Sequence, residues 1–253
     1  MRRTSLKLRF SLWLICTFAL CLLPSQYVNG QDEGYLSEEA LFEEDLDAPT
    51  QVSDPLEGLN RVIFRFNDYA YRYVARPVSS VYQLAPSSAR QGVSHFFDNL
   101  RFPVRLTSNL LQARISGAWL ETRRFAVNST VGLFGVLDPA SGMEGLEKID
   151  NEDVGQALGS YGIGEGPYLI LPFMGPSNVR DLIGLLGDRS ISPWVEPFSI
   201  LDSEARMIYG MGEGVSRLPV YLELYDQMKG SAIDPYSSLK SAFMQYRRSA
   251  VKK

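Results

Sequence analysis

The chain of 253 residues is 45% hydrophobic and 21% charged, with a formal net charge of −4. This length allows a sizeable buried core, and the composition excludes collagen-like, coiled-coil and wholly disordered proteins. Residues 1–30 carry four basic residues and no acid, residues 31–47 carry eight acids and no base, and the remainder is electrically neutral. A neutral body argues against nucleic acid as a partner, because binding to phosphates requires a net basic surface.

Residues 1–30 have the layout of a secretory signal peptide. Basic residues precede an uncharged, largely apolar run over residues 10–23, and Pro24 ends that run. A helix over this run would span about 21 Å, which is short of a hydrocarbon core of about 30 Å. We therefore predict export and cleavage after Gly30, with an uncleaved anchor as the alternative.

Both cysteines, Cys16 and Cys21, lie inside this segment, so a chain cleaved after Gly30 has no thiol chemistry. Acylation of a lipoprotein cysteine requires a small residue before it, whereas Ile15 and Leu20 occupy those positions. The sequence therefore does not favour a lipid anchor at either cysteine.

Residues 31–52 are predicted to form an acidic flexible tether, because a segment rich in charge and poor in apolar residues cannot build a core. Binding of a basic partner by this segment is the alternative.

The next predicted element is a helix that begins near Asp54. Asp54 is expected to cap it, Pro55 to fit its first turn, and Glu57 to reach back to the cap. Because proline disfavours helical conformation in the residue before it, Pro77 predicts an end near Ala75.

The charged residues of this helix fall within an arc of about 100°. The remaining surface is apolar apart from Asn60 and Asn67, which lie on the same side of the helix. Two interpretations remain open at this point: a central core helix of a soluble bundle, or a helix lying in a membrane interface.

The rest of the chain is predicted to be mainly helical, with one clear strand over residues 168–171. The other predicted helices cover residues 88–99, 103–113, 116–131, 178–186, 203–216, 219–228 and 235–248.

Residues 125–137 contain no charge, and residues 154–179 contain only Glu165. The first stretch is too short to span a bilayer, and glycines and prolines interrupt the second. Gly162, Gly164 and Gly166 are interpreted as a hairpin or hinge, since glycine adopts conformations that other residues avoid. Both stretches suit a protein embedded in one leaflet and equally suit an ordinary globular core.

The sequence lacks the residues that most catalytic and metal-binding sites require. The single histidine, His95, follows Ser94, but no Gly-x-Ser-x-Gly motif exists. A lipid hydrolase using His95 is retained only as an alternative to a structural role. With one histidine and no mature cysteine, zinc and haem sites have almost no ligands, and no cofactor is predicted. Residues 150–153 are interpreted as an acidic surface turn.

Several blocks, in order along residues 53–187, resemble a known family. They are residues 54–61 (DPLEGLNR), 64–67 (FRFN), 99–104 (NLRFPV), 109–112 (NLLQ), 124–132 (RFAVNSTVG), 155–159 (GQALG), 162–168 (GIGEGPY), 171–172 (LP), 175–177 (GPS) and 180–181 (RD). Together these blocks are similar to the MlaA (VacJ) family of outer-membrane phospholipid transport proteins.

The resemblance implies a mainly α fold: a ring-like bundle of short amphipathic helices with a glycine-rich hairpin, embedded in one membrane leaflet on the periplasmic side of the outer membrane. It implies a non-enzymatic component that removes mislocalised phospholipids from the outer leaflet through an amphipathic channel, which maintains lipid asymmetry. It further implies three partners: phospholipid, a periplasmic MlaC-like carrier and a trimeric outer-membrane porin. The alternative is a soluble periplasmic helical scaffold protein without lipid transfer.

The resemblance also assigns roles to particular residues. The segment with Gly162, Gly164, Gly166 and Pro167 corresponds to a movable gate. The pair Phe66 and Asn67 corresponds to a ridge beside the channel. We expect Arg180 to face lipid headgroups, with a structural salt bridge to Asp181 as the alternative.

The predicted domain organisation is a signal peptide over 1–30, a tether over 31–52, an MlaA-like helical domain over 53–230, and a C-terminal helix with a basic tail over 231–253. Beyond Arg189 the resemblance weakens. The basic residues near the C-terminus are interpreted as a solvated tail, with contact to anionic lipid or the carrier as the alternative. They are Lys240, Arg247, Arg248, Lys252 and Lys253.

Overall fold

Helices dominate the computed structural model, which describes residues 54–252. They are α1 (Glu57–Ala70), a π-helical turn (Tyr71–Ala75), α2 (Arg76–Tyr82), α3 (Ser87–Leu100), α4 (Phe102–Leu111), α5 (Ile115–Thr130), a 3-10 turn (Pro139–Gly142), α6 (Val154–Ser160), α7 (Val179–Ile191), α8 (Ser203–Ser231) and α9 (Pro235–Lys252). Strands β1 (Tyr168–Leu171) and β2 (Gly175–Asn178) form one antiparallel pair. The predicted mainly α class is confirmed, whereas the predicted signal peptide, its cysteines and the acidic tether lie outside the described residues.

The predicted end of the first helix is wrong. Helical structure continues through Pro77 to Tyr82, because burial of Tyr71 and Ala75 in a hydrophobic cluster offsets the hydrogen bond that the proline forfeits. The π-helical turn directly before α2 changes the hydrogen-bonding register.

The predicted cap is also wrong. Leu56 is the N-cap of α1 and makes no side-chain capping bond. The Asp54 carboxylate instead accepts hydrogen bonds from Asn60 Nδ2 (2.9 Å), from Lys240 Nζ (3.0 Å) and from the Tyr236 hydroxyl. The start of α1 is thereby joined to α9.

The segments predicted as two helices over 203–216 and 219–228 form the single helix α8, which passes through Pro219. The residues after the proline pack Leu222, Tyr225 and Met228 into a cluster with Tyr71 from the π-helical turn. Burial of this face outweighs the hydrogen bond that a proline inside a helix forfeits.

The acidic surface turn predicted over residues 150–153 is wrong in its second half, because Glu152 and Asp153 are buried. Asp153 is the N-cap of α6, which the sequence did not reveal, and its carboxylate accepts a 2.7 Å hydrogen bond from the backbone N–H of Gln156.

The strand predicted over residues 168–171 is confirmed, but the hairpin lies further along the chain than predicted. β1 turns into β2 through Pro172, Phe173 and Met174, with Phe173 in the left-handed region at φ 62°. Residues 162–166 form an irregular segment before β1 rather than a hairpin.

Asn60 and Asn67 fix this hairpin to α1. Asn60 Nδ2 donates to the carbonyl of Tyr168 (3.1 Å), and its Oδ1 accepts from the N–H of Ile170 (2.9 Å). Asn67 does the same two helical turns later, to the carbonyl of Leu171 (3.0 Å) and from the N–H of Phe173 (2.7 Å). The two asparagines that interrupt the apolar surface of the helix therefore satisfy backbone groups of the hairpin.

The C-terminal helix α9 is part of the core and not a solvated tail. Tyr236, Phe243 and Met244 pack against Tyr168 and Ile170 of β1. The apolar residues of this helix therefore contribute to the hydrophobic core instead of facing solvent.

Candidate functional site

A cavity of about 440 Å³ lies between α3, α5 and α8, and its lining is rich in charge. Its charged lining residues are Arg90, Asp98, Arg105, Arg124, Asp138 and Lys148. This volume is within the usual range for small-ligand sites of about 300–1,000 Å³, which are mostly apolar. The charge of this cavity is therefore its distinguishing property.

Arg105 and Asp98 form the buried side of the cavity. Arg105 Nε donates to Glu121 Oε2 at 2.8 Å, and Arg105 Nη1 lies 3.5 Å from Asp98 Oδ1. Lys148 Nζ lies 3.4 Å from the other Asp98 oxygen. Burial alone would raise the pKa of Asp98, but the charges of Arg105 and Lys148 outweigh burial and hold that pKa well below its usual value.

A second ion pair lies across the cavity. Arg124 Nη2 contacts both carboxylate oxygens of Asp138 at 3.2 Å. Burial acts to raise the pKa of Asp138, yet hydrogen bonds from Ser141 and Asn128 and the charge of Arg124 keep it lowered. Both lining carboxylates are thus ionised at neutral pH and matched by cations.

Sequence reasoning did not single out Arg90, and it gave His95 a structural role by default. Both line the cavity from α3, together with Ser94. A signal was present, since Arg90, Ser94 and Asp98 recur at i, i+4 and i+8 and so share one helical face. Periodicity by itself does not say whether such a polar face meets solvent or a cavity.

The hydrolase alternative gains no support from this geometry. Ser94 and His95 are adjacent on α3, so their side chains diverge by about 100°. Among residues 54–252, no hydrogen bond joins His95 to Ser94 or to a carboxylate that would orient the ring. The expectation that this chain is not an enzyme stays a prediction, which His95→Ala would test.

Phe66 and Asn67 of α1 lie against the tip of the β1–β2 hairpin and do not line the cavity. The ring of Phe66 packs edge-on against Phe173, with 4.9 Å between ring centroids, while Asn67 holds the backbone of the same residue. The structure therefore joins the predicted ridge to the β1–β2 turn.

Gly162, Gly164, Gly166 and Pro167 lie in the segment between α6 and β1, which also lies outside the cavity lining. Gly162 and Gly166 adopt positive φ values of 82° and 68°, which favour glycine, whereas a Cβ added at Gly164 would meet no atom within 4 Å. Their role as a gate stays a prediction.

Arg180 is buried, and its Nε donates to Asp181 Oδ1 at 3.0 Å. The salt bridge left open by the sequence is therefore present, and Arg180 is not among the cavity-lining residues. The backbone N–H of Arg180 also donates to the carbonyl of Glu165 at 3.2 Å, which connects α7 to the glycine segment.

Arg247 of α9 forms a buried ionic clasp with Asp153 and Asp181. Its guanidinium donates to both oxygens of each carboxylate, at distances between 2.7 and 3.0 Å. Asp188 lies beside this clasp, and burial together with the charge of Asp153 raises its pKa well above the usual value. The clasp connects α6, α7 and α9 behind the glycine segment.

The exterior is unusually apolar. A stripe along α1 and the π-helical turn that follows it consists of Leu59, Val62, Phe66, Tyr69 and Tyr73, all of them exposed. Further exposed apolar residues are Val131, Leu133, Phe134, Val136 and Leu137 after α5, and Ile183 and Leu186 on α7. Among residues 54–252, polar and charged side chains outnumber apolar ones in the buried set.

A bundle with many buried polar side chains beside its hydrophobic clusters, and with large exposed apolar surfaces, is typical of the class of helical proteins that contact lipid or another apolar surface. Within residues 54–252, no helix has the length and hydropathy required to cross a membrane. The same residues contain no group of histidine, cysteine, aspartate and glutamate suited to a metal ion.

The MlaA lipoprotein family model matches residues 52–250, and the chain belongs to this family. The intermembrane phospholipid transport system lipoprotein MlaA of Escherichia coli is 32% identical over 200 residues, covering 76% of each chain. An uncharacterised protein of Rickettsia bellii is 30% identical over 203 residues, covering 79% of this chain and 78% of its own.

A solved structure described as the structural basis for maintenance of bacterial outer membrane lipid asymmetry superposes with a TM-score of 0.67 at 29% identity. The match covers 79% of this chain and 99% of that one. The resemblance predicted from the ordered sequence blocks is therefore confirmed, and the family match extends into α9 as far as residue 250.

Proposed function

We propose that this chain is the outer-membrane component of a phospholipid transport system, which removes mislocalised phospholipids from the outer leaflet and so maintains lipid asymmetry. The observation that carries the proposal is the charged cavity inside a bundle with an apolar exterior, in a member of the MlaA lipoprotein family. The names of the E. coli relative and of the solved structure support this assignment.

In this proposal the chain lies in the periplasmic leaflet of the outer membrane, with its exposed apolar residues among the acyl chains. A lipid headgroup enters the charged cavity, because charged and zwitterionic groups lose less solvation free energy there than in hydrocarbon. The acyl tails remain against the apolar surface. The passage breaks no covalent bond.

The partners in the proposal are a periplasmic MlaC-like carrier, which receives the lipid, and a trimeric porin, which holds the chain in the outer membrane. The exposed apolar stripe on α1 and the apolar residues after α5 offer surfaces for lipid or for an apolar porin face.

The deciding experiment measures phospholipid exposed on the cell surface in cells that lack this chain, with and without its restoration from a plasmid. We expect exposed phospholipid to accumulate in its absence and to return to the normal level on restoration. Unchanged surface phospholipid would leave the soluble periplasmic scaffold as the better interpretation.

The glycine segment is proposed as the gate, and Gly164→Val tests it. We expect slower lipid transfer with little change in the free energy of unfolding, since a Cβ at this position meets no atom within 4 Å while a β-branched side chain stiffens the backbone. Gly58→Val is the matched control, because Gly58 on α1 also has no neighbour within 4 Å. Transfer at the normal rate by the Gly164 variant would argue against a hinge at this position.

A further inference from the structure

The cations of the cavity are not equivalent. Arg105 is paired with Glu121 and Asp98, Arg124 with Asp138, and Lys148 with Asp98. Arg90 makes no ion pair within residues 54–252. It therefore carries the lining charge that no carboxylate of this part of the chain neutralises.

The position of Arg90 is fixed although its charge is unmatched. Its Nε donates to the carbonyl of Ala85 at 3.1 Å, and its own carbonyl accepts from the hydroxyl of Tyr82. These bonds use one of the five guanidinium N–H groups, which leaves the two terminal nitrogens for another acceptor. A half-buried guanidinium with free donors at a cavity wall is suited to a phosphate or carboxylate oxygen.

The neighbouring side chains add donors without adding negative charge. Ser94 lies one helical turn further along α3 and also lines the cavity. Gln91 and His95 complete the same wall. A phosphodiester carries one negative charge and two unesterified oxygens, so one unmatched arginine balances its charge.

We propose that Arg90 binds the phosphodiester of a glycerophospholipid in this cavity, so that the site recognises the phosphate that these lipids share. This assignment rests on the proposed transport function and names the chemical group that the cavity selects. It predicts that a diacylglycerol, which has the same tails and no phosphate, is a poor ligand.

The test uses the purified chain in an uncharged detergent and measures binding of dioctanoyl phosphatidylglycerol and of dioctanoylglycerol. For Arg90→Gln we expect affinity for the phospholipid to fall about tenfold, as for loss of a hydrogen bond to a charged group. Affinity for dioctanoylglycerol should not change. Arg90→Lys should retain most of the phospholipid affinity, because it keeps the charge.

Arg123→Gln is the matched control, since Arg123 is exposed on α5 and lies outside the cavity lining. Wild-type affinity in Arg90→Gln, or an equal loss for both ligands, would overturn the assignment. Inorganic phosphate is added as a competitor. Displacement of the phospholipid by micromolar phosphate would identify a site for free phosphate and overturn the lipid assignment.

Binding measurements on the wild-type protein distinguish the transport proposal from the phosphate-recognition proposal. Binding of both ligands with equal affinity would leave lipid transport standing and overturn phosphate recognition. Binding of neither ligand would overturn both.

Discussion

Arg247→Gln is expected to lower the free energy of unfolding by about 3–5 kcal/mol, the cost of removing one partner from a buried ion pair. Arg247 is only 1% exposed and holds four carboxylate oxygens of Asp153 and Asp181. Glutamine cannot replace this bidentate geometry, so buried Asp153 would lose its paired cation and buried Asp181 would keep only Arg180. Denaturant unfolding of the purified chain in detergent measures the change.

Arg248→Gln is the matched control for this prediction. Arg248 is the next residue on α9 and pairs with Glu165, but both side chains are partly exposed. Partly exposed pairs contribute about 0–1 kcal/mol, so we expect little change. Equal losses for the two variants would show that the clasp contributes no more than a surface pair.

The second large effect is expected at Leu133 and Phe134, which are 61% and 77% exposed. In the proposed membrane orientation, the double variant Leu133→Asp/Phe134→Asp should bind vesicles of phosphatidylethanolamine and phosphatidylglycerol at least a hundredfold more weakly. Burying a carboxylate in hydrocarbon and losing an apolar side chain each cost about 2–3 kcal/mol. Vesicle flotation of the purified chain measures the bound fraction.

The backbone at these two positions helps to separate binding from folding. Both residues have positive φ values, 53° and 59°, a region that aspartate and asparagine tolerate better than leucine or phenylalanine. Leu133→Asn/Phe134→Asn is therefore a control with the same backbone preference and no charge, and it should weaken binding by a smaller factor. Flotation of the aspartate variant at the wild-type level would place this surface away from the membrane.

The sequence predicted the helices well where local signals and burial agree. The predicted helix over 88–99 corresponds to Ser87–Leu100, and that over 116–131 corresponds to Ile115–Thr130. Prolines account for the main errors. The sequence predicts that a helix ends before Pro77 and that a separate helix begins at Pro219. Both prolines instead lie within continuous helical structure, because neighbouring residues are buried in the cluster that includes Tyr71 and Leu222.

The sequence also predicts the burial of some charged residues wrongly, for a related reason. From the sequence, Asp153 and Arg247 are predicted to lie at the surface, because unpaired charges are seldom buried. They lie 94 positions apart in the chain and meet only when α6 and α9 pack together. A pattern within one helix cannot reveal a partner on another, so the clasp and the cavity ion pairs were beyond local analysis.

By itself, the sequence determined the helical class, the family, the strand at 168–171 and the placement of Asn60 and Asn67 on one side of α1. These properties follow from residue spacing along one element or from the order of motifs, which need no knowledge of distant contacts. Only the tertiary structure decided which faces are inside. The periodicity of α1 left a core helix and an interfacial helix equally open, and folding exposes its apolar stripe while its asparagines bind the hairpin. The physical reason is that hydrogen-bonding backbone groups of β1 must be satisfied when buried, and asparagine satisfies them where leucine cannot.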